Sequence, residues 1–320
     1  MTRRRRSTCS PWPPAPARIF RGDLLDGAAL MDAARGCSGV FHLASPCIVD
    51  AVSDPQKQLI VPAVEGTLNV LRAAKEAGSV RRVVVTSSSS AIMPSPGWPA
   101  GEVRDERCWT GIDYCEKNGV SLSLLQAAVL PTYCSVSRYH GAMNDGTISL
   151  GNSVWYPVSK TLAEKAAWKF AEENGLDVVV INPIVENILL VCSLCRSLDE
   201  ENTEAHPNSC TEEYKDIWMG AVHVEDVALA HLLVFENTSA SGRHICAESI
   251  NHLSDFAAKL TELYLSYKVP KFPKDTQPGL VRAEAAVASK KLIALGLQFR
   301  PLEKIIRDAV ESLKSRGYIS

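Results

Sequence analysis

Two kinds of apolar pattern alternate along the chain: short unbroken runs rich in β-branched residues, and longer stretches with apolar residues three and four apart. The unbroken kind occurs at Gly39-Val40-Phe41-His42-Leu43-Ala44-Ser45-Pro46, Arg82-Val83-Val84-Val85-Thr86 and Asp177-Val178-Val179-Val180-Ile181-Asn182-Pro183. Such runs predict strands buried on both faces, the form parallel sheets take. A shorter strand-like run, Arg18 to Leu25, precedes them and contains Asp23 and Leu24. The helical kind follows Leu25 as far as Ala34. It recurs from about Gln56 to Ala77, with Val61, Val64, Leu68 and Leu71 on one face and Gly78 as the stop. A third such stretch runs from Trp155 through Trp168. This cadence predicts βαβ units and an α/β, Rossmann-like doubly wound parallel sheet whose four strands deliver their carboxyl ends to one crevice. Beyond it, helical patterns at Val224 to Glu236, Leu253 to Tyr264, Ser289 to Leu295 and Leu302 to Lys314, with a strand-like Arg243 to Cys246, predict a smaller lobe.

The chemistry lies where these patterns meet. Tyr156 and Lys160 are four apart at the start of the third helix, which sets phenol and ammonium a turn apart on one face. A tyrosine of ordinary pKa, about 10, is a poor acid at neutral pH, and a fixed cation brings it into range. The same spacing also occurs on ordinary exposed helices. Ser87 to Ser90 end the Arg82 strand, where polar residues commonly form a loop. A hydroxyl there also faces the ligand side of a parallel sheet, where it would hold a carbonyl oxygen while Tyr156 protonates it.

Composition narrows the setting. The 320 residues are 46% hydrophobic and 22% charged, with a formal net charge of −2, which gives no electrostatic reason to expect a nucleic acid or an anionic membrane as partner. No apolar run approaches a transmembrane span. Ten scattered cysteines suit a reducing compartment, and a cytoplasmic monomer is expected. Residues 1–17, with Arg3 to Arg6 and a Ser/Pro/Ala stretch, read as a disordered tail; a transit peptide is the other reading. Cys192-x-x-Cys195 with His206 and Cys210 has knuckle-like spacing, but its loop-like acidic context points to no metal. His42 and His223 read as packed residues, and His231 as surface or groove lining.

The runs Val40 to Pro46, Val83 to Ser88, Trp155 to Trp168 and Val178 to Pro183 resemble plant cinnamoyl-CoA reductase-like and dihydroflavonol reductase-like proteins, extended short-chain dehydrogenase/reductases. The likeness resumes at Met219 to His231 and Lys291 to Leu297. It implies an NADP(H)-dependent reductase of a small-molecule carbonyl with Ser88, Tyr156 and Lys160 as catalytic triad. By the same resemblance Asp23 and Leu24 flank the adenine, Leu43, Ala44 and Ser45 line the cofactor, Tyr156 and Lys160 contact it, and Pro183 follows the last cofactor-contacting strand. Family members acting on hydroxycinnamoyl-CoA resemble one another in a cysteine and an aromatic between Tyr and Lys. Pro157-Val158-Ser159 here points instead to an aldehyde or ketone.

Three departures accompany the likeness. The family's opening strand, Gly-rich loop and helix have no counterpart before Asp23, so the cofactor domain, residues 18–185, is expected to be N-terminally truncated. Residues 120–154 read as an insertion between Asn118-Gly119 and Trp155, expected to form a surface loop. The stretch after Pro183 departs from the family's Gly-Thr-Val-like turn, and residues 186–320 are expected to form the substrate-binding lobe. Beside an active reductase, two readings stand: a sugar-nucleotide epimerase or dehydratase, and a catalytically inactive remnant or binding protein.

Overall fold

The unbroken apolar runs form three neighbouring strands of a parallel sheet in the computed structural model, which describes residues 18–48, 52–99, 102, 104–118, 155–184, 218–265 and 289–317. The first elements are helix α1 (Gly27–Ala34), strand β1 (Gly39–His42), helix α2 (Val61–Glu76, entered through a π-helical turn, Gln56–Ile60), strand β2 (Arg82–Thr86) and helix α3 (Ile112–Asn118). Next come helix α4 (Trp155–Asn174), strands β3 (Val178–Pro183) and β4 (Trp218–Ala221), helix α5 (Val224–Glu236), and strands β5 (Gly242–Cys246) and β6 (Ser249–His252). Helices α6 (Leu253–Leu263), α7 (Lys290–Ala294) and α8 (Leu302–Ser315) complete the described elements.

The main sheet has the order β1-β2-β3-β5, with every pairing parallel: Val40 opposite Val83, Val84 opposite Val179, Ile181 opposite His244. Side chains alternate across it as a period of two requires. Val83, Val85, Val178 and Val180 pack with Leu71 of α2 and Ala167 and Ala171 of α4. Val84, Val179 and Ile181 pack on the opposite face with Val227, Ala230 and Val234 of α5 and Leu292 of α7. With helices on both faces, the inner strands can be apolar throughout, and full burial of each such side chain stabilises the fold by about 1.5–3 kcal/mol. This is the α/β doubly wound architecture that the pattern predicts. Strands β4 and β6 form a separate antiparallel pair.

Arg82 clamps one end of the sheet to α5. Its guanidinium donates to the Val234 carbonyl (2.5 Å) and the Asn237 carbonyl (2.7 Å) at the helix's carboxyl end and pairs with Asp177 (2.8 Å). Cations are favoured at a helix carboxyl terminus, where unpaired carbonyls gather.

Two expectations are corrected. No strand forms at Arg18 to Leu25, because a strand exists through pairing and this segment pairs with none: Asn69 of α2 holds the Leu24 carbonyl (3.0 Å), while Ile19 is 94% exposed. A glycine at position 66 admits this approach, since a Cβ there would lie 2.9 Å from that of Leu24. The segment then turns through Asp23 and Asp26, and the Asp26 carboxylate caps α1 by accepting the Ala29 N–H (3.1 Å). The fourth strand of the sheet is β5 instead, a run the sequence pattern assigned to the smaller lobe. The tail 1–17, the insertion 120–154 and the cysteine cluster at 192–210 lie outside the described residues. Among the described residues no helix is long and apolar enough to cross a membrane.

Candidate active site

All four strands of the main sheet run the same way, so their carboxyl ends share one side. There β1 leads into Leu43, Ala44 and Ser45, β2 into Ser87 and Ser88, and β3 ends at Pro183. Helix α4 starts on that side and packs against the single 3-10 turn Ser89–Ala91 that follows β2.

Ser88 is extended, with φ −161° and ψ 157°, and its hydroxyl accepts the N–H of Ser90 (3.1 Å), capping the short turn. Accepting through the oxygen leaves the O–H hydrogen to donate elsewhere. The Ser88 carbonyl accepts from the Asn182 amide (3.2 Å), which ties the turn to β3. Tyr156 lies half-buried in the first turn of α4, where its carbonyl accepts from the Ser159 hydroxyl (2.8 Å).

Lys160 is buried, and its ammonium donates to the Thr86 carbonyl at the end of β2 (3.0 Å). Burial lowers its pKa from 10.5 to about 8, with the charge of Glu164 acting in the opposite sense. His42 faces the same region. Burial first, and the Lys160 charge second, bring its pKa to about 4, so at neutral pH it is an uncharged ring bonded to the Thr67 hydroxyl (3.0 Å). The expectation that His42 is a packed residue holds, and His223 is likewise buried, at the amino-terminal cap of α5.

His231 is not surface. It is 5% exposed, with one ring nitrogen 2.7 Å from the Val227 carbonyl and the other 2.6 Å from the Thr86 hydroxyl. A carbonyl can only accept, so Nδ1 carries the hydrogen and Nε2 accepts from Thr86. The placement follows from α5 crossing the sheet next to β2, a tertiary contact that helical periodicity does not report.

Two cavities adjoin β1. A groove of about 500 Å³ runs beside the strand, lined by Leu24, Leu30, Val40, Leu43, Ala44 and Val70 among others, and apolar apart from His42 and Cys37. A small cleft of about 10 Å³ lies between Ala44, Ser45, Thr86, Ser87, Lys160 and Glu164. The residues expected around a cofactor therefore divide. Leu24, Leu43 and Ala44 meet at the groove, and Ala44, Ser45 and Lys160 at the cleft. Asp23 is exposed and uses its carboxylate on the Leu25 N–H (2.9 Å), and Pro183 pairs with Cys246; neither lines these cavities.

Behind the site lies a polar network that the sequence reading passed over. Glu164, 1% exposed, receives Arg243 Nε (2.6 Å), the Ser87 hydroxyl (2.5 Å), the Asn182 amide (2.9 Å) and the Trp168 indole N–H (3.3 Å). Arg243 reaches on to the carbonyls of Glu106 (3.0 Å) and Ala91 (3.2 Å) and lies 3.9 Å from the Trp109 ring centroid. One signal was present, since Glu164 follows Lys160 by four residues and so shares its helix face.

Residues 1–108 match the NAD dependent epimerase/dehydratase family. The chain is 34% identical over 307 residues to tetraketide alpha-pyrone reductase 1 of Arabidopsis thaliana, covering 95% of this chain and 81% of that protein. It is 35% identical over 302 residues to cinnamoyl-CoA reductase 1 of Petunia hybrida, covering 94% and 78% respectively. Among solved structures, vestitone reductase from alfalfa superposes with a TM-score of 0.65 at 26% identity, over 94% of this chain and 83% of that one.

Proposed function

The chain belongs to the cinnamoyl-CoA reductase-like group of the NAD dependent epimerase/dehydratase family, and we propose that it is an NADP(H)-dependent oxidoreductase that reduces a small-molecule carbonyl. The observation that carries the reading is the buried Lys160 ammonium on the Thr86 carbonyl, one helical turn from Tyr156 and two residues from Ser88 along β2's exit. A cation at that depth is costly even with a carboxylate a helical turn away, and burial of this kind recurs where a charge is needed for chemistry.

Reduction builds negative charge on the carbonyl oxygen, so donors aimed at that oxygen lower the barrier. In this assignment Ser88 donates its free hydroxyl hydrogen to orient the oxygen, and Tyr156 delivers the proton. Lys160 holds a positive charge near the phenol, which favours the phenolate and makes Tyr156 a stronger acid. The nicotinamide, when bound, supplies the hydride. Lys160, Ala44 and Ser45 suit the ribose and nicotinamide end. The apolar groove beside β1 offers no charged partner to a pyrophosphate and suits a packed element better.

Pro157-Val158-Ser159 between the catalytic pair favours an aldehyde or ketone over a hydroxycinnamoyl-CoA thioester, and the β4–β6 pair with α6 belongs to the part assigned to substrate choice. The test is NADPH oxidation by the purified chain across aldehydes, ketones and hydroxycinnamoyl-CoA thioesters. Stoichiometric NADPH consumption with alcohol formation is expected. Turnover of a sugar nucleotide without net NADPH loss would establish the epimerase reading, and no turnover with any carbonyl would favour the inactive one.

A further inference from the structure

We propose that Glu164 is a positioning residue of this site: its buried carboxylate, locked by Arg243, holds the charge on Lys160 and fixes the turn that carries Ser88. The proposal rests on the reductase reading for its purpose, but its observations and its test stand apart from turnover.

Helix α4 places Tyr156, Lys160 and Glu164 at successive four-residue steps along one face. Lys160 and Glu164 line the same small cleft with Thr86 and Ser87. Every partner of the Glu164 carboxyl is able to donate to it: a guanidinium, an indole N–H, an amide N–H and a hydroxyl. Guanidinium, indole and amide hydrogens have no acceptor role to exchange, so the group they surround is an acceptor-only carboxylate. It supplies negative charge a helical turn from an ammonium that burial otherwise discourages. The Arg243 guanidinium also donates to the carbonyls of Glu106, Cys108 and Ala91 and lies over the face of Trp109, which anchors it, and with it the carboxylate, to the elements around β5.

The same carboxylate reaches the serine turn by two routes. Its Oε2 accepts the Ser87 hydroxyl, and it accepts one hydrogen of the Asn182 amide, which also donates to the Ser88 carbonyl. Ser88 is thereby held between β2 and β3 by a group on α4. A salt bridge that only joined α4 to β5 would need neither branch.

The test is NMR titration of Lys160 in the full chain, labelled at lysine Cε, for wild type, Glu164→Gln, Glu164→Asp and the double variant Glu164→Gln with Arg243→Met. The other titratable groups around Lys160 are His42 from β1, Cys47 beyond it, and Tyr156 on α4, all kept in every variant. The Lys160 midpoint should fall by about one pH unit or more in Glu164→Gln and in the double variant, and stay near wild type in Glu164→Asp. Hydrogen exchange at the Ser90 amide, which bonds the Ser88 hydroxyl, should speed up in the Gln variants. The double variant removes both charges together and so avoids a stranded guanidinium. A Lys160 midpoint unchanged in both Gln variants while melting temperature drops would overturn the proposal, as would an equal fall in Glu164→Asp or loss of the folded state in the double variant. Because the titration needs no substrate, a failed reductase assay leaves it readable.

Discussion

Replacing Lys160 by Met should make the protein more stable at neutral pH, although it should end catalysis. In an unfolded chain the lysine holds its proton up to about pH 10.5, whereas in the native state burial brings that midpoint to about 8. Between those values the unfolded state binds more protons, so Lys160 makes stability rise with pH across this window, and below pH 8 its full cost is present. The distance between the midpoints corresponds to about 3 kcal/mol at pH 7. Methionine fills a similar volume without charge, but it leaves the Thr86 carbonyl without the Lys160 hydrogen bond, a loss of about 1 kcal/mol. The net expectation is a gain of about 2 kcal/mol at pH 7. Urea unfolding of both proteins at pH 7, 8, 9 and 10 would measure it. The gap should shrink from pH 8 upward and close near pH 10, where the native lysine is neutral and the unfolded one, still mostly protonated below its midpoint of 10.5, leaves a cost no larger than the Thr86 bond. A variant less stable than wild type at pH 7, or a gap that does not change with pH, would refute the account of Lys160 as a costly buried cation.

Tyr156→Phe keeps the ring's packing and removes the proton donor, so carbonyl reduction should fall by at least about 100-fold with little change in unfolding midpoint; full retained turnover would sink the triad. Gly39→Ala should destabilise by about 1–3 kcal/mol, because the new Cβ would lie 2.0 Å from the ring of Phe235, and Phe235→Leu in the same chain should recover most of the loss in urea unfolding. Grafting a strand, Gly-rich turn, helix and strand from a relative ahead of Arg18 should fill the groove beside β1 and pair the side of β1 that no strand among the described residues covers. Calorimetry should then give NADPH binding at least about 10-fold tighter than that of the 320-residue chain, since helix amino termini and backbone N–H groups hold phosphates. Equal affinity for the two proteins would contradict this.

The helices with a clear apolar stripe were legible in the sequence: α2 and α5 appear within a residue or a turn of where Val61, Val64, Leu68 and Leu71, and the stretch from Val224 to Glu236, put them. Strands β2 and β3 were legible for a different reason, since an unbroken β-branched run can satisfy itself only when covered on both faces. Arg18 to Leu25 misled because composition reports willingness to form a strand and cannot report whether a partner is there. In the site, the four-residue spacing of Tyr156 and Lys160 gave the pair, and its extension to Glu164 was equally readable but reads first as an ordinary surface charge.

What the linear chain determined by itself is therefore whatever depends on near neighbours: which segments are helix, which are buried strand, and which side chains share one face of α4. Those are set by dihedral preference and by a periodicity of 3.6 or 2, both local quantities. Only the tertiary structure decided that Arg243, 79 residues from Glu164, would enter the core as its partner, and that His231, expected at the surface or lining a groove, would bond the Thr86 hydroxyl. The physical reason is common to both. A buried polar group is tolerated only where hydrogen-bonding partners converge on it, and convergence is a property of packed elements that no stretch of sequence contains.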